Sequence, residues 1–203
     1  MFERQIDRRL LLKGAATLAA TMMPFPALAT APTVNAVAFD PAIPALGNPK
    51  GDVTIAEFVD YQCPICKRAF VELAKLLAED AEVRLVMKDW PVFGDASRDA
   101  ARMVLSAGPL YPQAVEALMA NEHALSERRT NEVLASAGVD VMAVRASLDA
   151  RGADLDAVLA RNDGLAVAFQ LRGTPALVIG GTLYKRGMHL DELRQAVARA
   201  RAS

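Results

Sequence analysis

Residues 52–77 read DVTIAEFVDYQCPICKRAFVELAKLL, and a change of pattern inside this stretch sets the fold class. Val53, Ile55, Phe58 and Val59 make residues 52–60 a buried strand with a single acidic break at Glu57. Past Cys63-Pro64-Ile65-Cys66, the apolar residues Phe70, Leu73, Leu76 and Leu77 recur at helical spacing. A second strand is predicted over 82–88 (EVRLVMK). Strand, helix, strand is a βαβ unit, which requires a parallel strand pair.

Working outward, residues 96–161 are rich in Ala, Leu, Met, Glu and Arg, with breaks at Gly108-Pro109, near Ser126 and at Gly138. Four or five short helices are expected there, with a further helix over about 155–171. Gly173-Thr174-Pro175 then leads into a short strand at 176–179. Gly180-Gly181 supplies a two-residue hairpin turn, 182–185 returns as a strand, and 190–201 closes the chain as a helix. On the other side, residues 30–47 hold Pro32, Pro41 and Pro44 without sustained periodicity and read as an extended arm.

Residues 1–29 read as an address. Arg4, Arg8, Arg9 and Lys13 precede an apolar run from Gly14 to Met23, and Ala27-Leu28-Ala29 fits a small-x-small cleavage site. The run is too short to span a bilayer comfortably. Arg8-Arg9-Leu10-Leu11-Leu12-Lys13 resembles a twin-arginine signal, with Asp7 in place of the usual Ser or Thr; the ordinary secretory route stays open. Either route leads to the periplasm or beyond. Cleavage after Ala29 would leave 19 basic and 22 acidic residues of the original 23 and 24. No basic surplus points to nucleic acid.

Cys63 and Cys66 are the only cysteines. A bridge between them closes a tiny loop and adds little global stability, so the pair calls for a chemical explanation. Zinc needs about four ligands, and the chain has no second CxxC; His123 and His189 are distant in sequence, so no metal is expected. A CxxC that follows a buried strand and opens a helix places Cys63 at the helix N-terminus. Unpaired N–H groups and the helix dipole stabilise a thiolate there. Pro64 suits the first turn, where its missing N–H costs nothing. Cys66, one turn along, is placed to resolve a mixed disulfide.

In these motifs the chain resembles the DsbA-like branch of the thioredoxin superfamily. The resemblance rests on FVDYQCPICKRAF, the helical insert and RGTPALVIGG, together with Gly47–Asp52 and Lys88–Gly94, and it covers about 47–201. It implies a thioredoxin fold over 48–203 with an inserted helical subdomain at about 96–161. It implies a thiol–disulfide oxidoreductase that exchanges disulfides with exported, cysteine-bearing client proteins, most readily as an oxidase. Cys63 is then the nucleophile and Cys66 the resolving thiol. The redox group is the Cys63–Cys66 disulfide itself, with no other cofactor. The family's cis-proline loop matches Thr174-Pro175, which with Pro64 and Ile65 would meet the client. Glu57 matches a buried acid that helps move protons, and strand alternation with Ile55 and Val59 also favours its burial. Lys88 matches a family lysine near that acid. Family oxidases are recharged by a membrane redox partner, and the small size of the 30–47 arm argues for a monomer. Isomerase or reductase activity, a glutathione-using enzyme, and a non-catalytic binding module or chaperone on the same scaffold are the alternatives. The strong oxidase of the family has Pro-His between its cysteines. Ile65 cannot supply a histidine's charge, so a less oxidising couple than about −120 mV is expected.

Overall fold

The computed structural model describes residues 33–203; the expected export signal over 1–29 lies outside them. Strands β1 (Ala45–Gly47), β2 (Val53–Val59), β3 (Val83–Asp89), β4 (Ala176–Ile179) and β5 (Thr182–Tyr184) form one sheet in the order β1-β3-β2-β4-β5. β2 and β3 are parallel; the other three pairings are antiparallel. The parallel pair is the expected βαβ unit, joined by α2 (Pro64–Glu79). This is the α/β thioredoxin fold that the sequence implied. Central β2 is covered on both faces, so it reads as a near-continuous apolar run and not as a clean alternation.

Helix α2 exists because its apolar residues form one stripe. Cys66, Ala69, Phe70, Leu73 and Leu76 are its buried positions, three and four apart. Burying Phe70, Leu73 and Leu76 contributes roughly 1.5–3 kcal/mol each. The helix starts where Pro64 occupies its first turn, with Cys63 in an extended conformation as N-cap, and ends at Asp80. The closing helix α7 (Leu190–Arg201) packs on α2, β2 and β4. Its approach explains the turn at 180–181. Both glycines have positive φ, and a Cβ on Gly180 would lie 2.3 Å from the Ala200 methyl.

Two expectations need correction. Residues 30–47 are not simply an extended arm: they contain the short helix α1 (Val34–Ala38), which packs on β2, and strand β1, which pairs with β3. A three-residue strand is too short to show a period, and the open edge of β3 recruits it. The helical insert also runs differently. Between β3 and β4 lie α3 (Asp95–Leu105), a 3-10 turn (Gly108–Leu110), α4 (Tyr111–Ala120), α5 (Glu127–Ser136) and α6 (Val141–Ala168). The last helix starts at 141, not near 155, and passes through Gly152. A mid-helix glycine costs about 1 kcal/mol. The stripe of Val144, Leu148, Leu155, Leu159 and Ala166 offsets that by packing α6 against α3 and β3. Among the described residues, no helix is long and apolar enough to cross a membrane.

Candidate active site

Strand β2 ends at Val59, and four residues carry the chain to the N-terminus of α2. Asp60 builds this corner. Its carboxylate accepts hydrogen bonds from the backbone N–H of Gln62 (2.7 Å), Val92 (2.8 Å) and Phe93 (3.0 Å) and from the Ser97 hydroxyl (2.7 Å). Gln62 extends the stitching. Its amide donates to Ser97 Oγ at 3.0 Å, and its carbonyl accepts from Leu125 N–H at 3.0 Å. The loop that presents the cysteines is thereby tied to the helical insert.

Cys63 and Cys66 are both free thiols and both buried. The Cys66 backbone N–H donates to Cys63 Sγ at 3.4 Å, the capping contact expected at a helix N-terminus. Across the site, the Cys63 thiol donates to the Thr174 carbonyl at 3.4 Å. The Thr174–Pro175 bond is cis. Thr174, Pro175 and Ile65 line one cavity, so residues far apart in sequence share a wall.

The two thiols are pushed in opposite directions. Cys63 is held down at about 5, foremost by the Cys66 thiol against it, with Thr174 and the N–H groups of Cys66 and Ile65 adding to this. Burial pushes Cys66 far up, and the charge of Glu57 adds to it. One cysteine is thus set to be thiolate at neutral pH and the other to hold its proton, without any charge from position 65. Lys67 adds a cation close to both sulfurs; burial lowers its pKa, while Asp60 and the two cysteines oppose that.

Glu57 is fully buried, and neither carboxylate oxygen has a hydrogen-bond partner among the described residues. Burial raises its pKa well above the usual carboxylate range, and the nearby Cys63 charge raises it further. On the same face, Asp89 pairs in register with Val59, and Tyr61 and Tyr111 approach it. All three are 1% exposed. Burial lifts Asp89 to about 7.

Lys88 does not belong to this group. In the β2–β3 register Glu57 stands beside Met87 and Lys88 beside Phe58, so the acid and the lysine point to opposite faces of the sheet. Lys88 is buried near the Asp40–Arg161 ion pair, and burial lowers its pKa. The structure therefore brings together Cys63, Cys66, Pro64, Ile65, Thr174, Pro175 and Glu57, and leaves Lys88 out. Sequence reasoning missed Asp60, Gln62, Lys67 and Asp89. The one available signal was polar Asp60 and Gln62 flanking the last step into an otherwise apolar approach.

The family model described as Thioredoxin matches residues 40–199. No curated protein matches the sequence. Among solved structures, a thioredoxin-like oxidoreductase from Silicibacter pomeroyi DSS-3 is 34% identical, with a TM-score of 0.80, over 85% of this chain and 99% of that one. A periplasmic thioredoxin-like protein from Salmonella enterica serovar Typhimurium is 26% identical, with a TM-score of 0.73, over 83% and 95% of the two chains. The thiol-disulfide exchange protein alpha-DsbA2 from Wolbachia pipientis shares the fold at 24% identity, with a TM-score of 0.75, over 81% and 90%.

Proposed function

The chain belongs to the thioredoxin family, and on that premise we propose that it is an exported thiol–disulfide oxidoreductase that introduces disulfides into cysteine-bearing client proteins. The observation that carries this reading is the opposed pair of thiols. Cys63 is lowered to about 5 and faces the Thr174 carbonyl, while Cys66 is raised and backed by Glu57.

The cycle starts from the Cys63–Cys66 disulfide. A client thiolate attacks Cys63 Sγ. The S–S bond breaks, and its electron pair leaves on Cys66, whose high proton affinity draws a proton from Glu57. A second client thiolate attacks the client sulfur of the mixed disulfide and expels Cys63 as a thiolate. Two electrons have passed from the client's thiols to the protein, and the client holds a new disulfide. A thiol lowered to about 5 is a good leaving group, which favours release and the reduced state. An electron acceptor must then reoxidise the pair; a membrane redox partner is the proposed class. Thr174 and Pro175 position the client backbone, with Pro64 and Ile65 beside it. No metal or organic cofactor takes part in this scheme. Export is supported by the signal-like N-terminus and by the periplasmic description of the Salmonella relative.

Two client states test the direction. The oxidised protein should oxidise reduced ribonuclease, and Cys63→Ser should abolish the reaction. Reactivation of scrambled ribonuclease without oxidation of the reduced form would make the protein an isomerase instead. Full cellular function in the Cys63→Ser variant would make it a binding module.

A further inference from the structure

Two cavities meet at Ile65, two residues past Cys63, and the first also contains Thr174, whose carbonyl accepts from the Cys63 thiol. One, of about 600 Å³, is walled by Ile65, Arg172, Thr174, Pro175, Lys185 and Arg186. The other, of about 500 Å³, is walled by Ile65, Arg68, Val71, Glu72, Arg186 and Met188. They share Ile65, Arg186 and Gly187, so together they form one groove that passes Ile65, one of the two residues between the cysteines. Its floor is apolar: Ile65 is 48% and Val71 53% exposed.

Its charge is one-sided. Glu72 is the only acid lining either cavity, and it is engaged by Lys75 at 2.6 Å and by the Leu190 N–H at 3.0 Å. Arg186 is neutralised by Glu192 at 2.7 Å. Arg68, Arg172 and Lys185 are exposed, and none of them has a carboxylate partner among the described residues. Three cations without a carboxylate partner, one of them (Lys185) donating to the Gln170 carbonyl at 3.2 Å, therefore line the groove that passes Ile65, in a chain whose net charge is −1. Cations left without internal partners around an apolar trough are positioned for anions brought by a ligand.

We propose that this groove selects extended client segments that carry Asp or Glu within about three residues of the reacting cysteine, with an apolar side chain laid on Ile65 and Val71. An extended chain advances about 3.3 Å per residue, so such acids reach the rim while the cysteine stays at Cys63. The proposal rests on the exchange function argued above and adds the chemistry of the preferred client.

The test uses the full chain, oxidised, and three cysteine peptides that differ only in flanking residues: Asp/Glu, Asn/Gln or Lys. Each rate of reduction is divided by the same peptide's rate with dithiodipyridine, which cancels differences in thiol acidity. Dithiothreitol serves as an uncharged reference. At low ionic strength the acidic peptide should react roughly tenfold faster than the lysine peptide, with the amide peptide between them. Near 1 M salt, where the Debye length is about 3 Å, the spread should shrink below about twofold. The variant R68E/R172E/K185E should invert the order. If that variant does not fold, the salt series on the unmodified chain still decides. Equal rates for the three peptides, or a lysine peptide that is fastest, with dithiothreitol reacting normally, would overturn the selectivity and leave the exchange function standing. No reaction even with dithiothreitol would remove both.

Discussion

Removing the Cys66 thiol should raise the pKa of Cys63, because that thiol is the largest influence holding Cys63 at about 5. A hydrogen bond to a charged group contributes about 1.5–3 kcal/mol, and one pKa unit corresponds to about 1.36 kcal/mol. Cys66→Ala should therefore move Cys63 up by about one to two units. Cys66→Ser keeps an O–H donor at the same place and should move it much less. Both variants leave a single cysteine, so the reaction of Cys63 with a small neutral disulfide can be followed across pH without ambiguity. At pH 5 the alanine variant should react about two- to sixfold slower than the serine variant, because its loss of thiolate outweighs its gain in nucleophilicity. At pH 8 both sulfurs are ionised, and the order should reverse by a few-fold, because nucleophilicity rises with pKa at a Brønsted slope of about 0.4–0.5. The crossing of the two profiles is the signature. A profile for Cys66→Ala that still has its midpoint near 5 would refute the argument, and would place the whole stabilisation on backbone N–H groups and Thr174. A midpoint above 8 in the unmodified dithiol would refute the low-pKa nucleophile altogether.

Other measurements follow from the same site. Asp89 is raised from 3.8 to about 7 by burial, so its folded pKa exceeds its unfolded one. Its stability contribution is intact below pH 3.8 and is lost as pH rises through 7; about three units correspond to about 4 kcal/mol. Asp89→Asn should therefore stabilise the protein by several kcal/mol at pH 8 and by almost nothing at pH 4, as read from urea unfolding; an equal effect at both pH values would contradict a buried neutral acid. Asp60→Ala strands the Val92 and Phe93 N–H groups and the Ser97 hydroxyl. At about 1–3 kcal/mol for each unsatisfied group, the loss should reach several kcal/mol in urea unfolding, and a loss under about 1 kcal/mol would show that the corner is held otherwise. Ile65→His adds a half-exposed cation beside Cys63 and should make the couple more oxidising by up to about 30 mV, measured against glutathione; an unchanged or more reducing potential would show that position 65 does not act through charge.

The sequence by itself determined the chemistry and the frame that carries it. The switch from strand spacing to helical spacing around Cys63 and Cys66 is local, and so is the rule that a helix N-terminus stabilises a thiolate. The βαβ unit, the Gly180-Gly181 turn and the closing helix follow from periodicity and turn chemistry in the same way. Only tertiary structure decided what depends on register and on residues far apart in sequence. Strand period predicted that Glu57 is buried, yet the alignment of β2 with β3 turns Lys88 to the opposite face, and no local pattern encodes an alignment between strands. The short strand at Ala45–Gly47 forms because β3 offers it an edge, and α6 runs through Gly152 because α3 and β3 hold its stripe. The pKa values of the two cysteines belong to this second class. The residues that set them, Thr174, Glu57 and the cysteines themselves, meet only when the chain from 176 to 179 pairs with β2 and brings its preceding loop against Cys63.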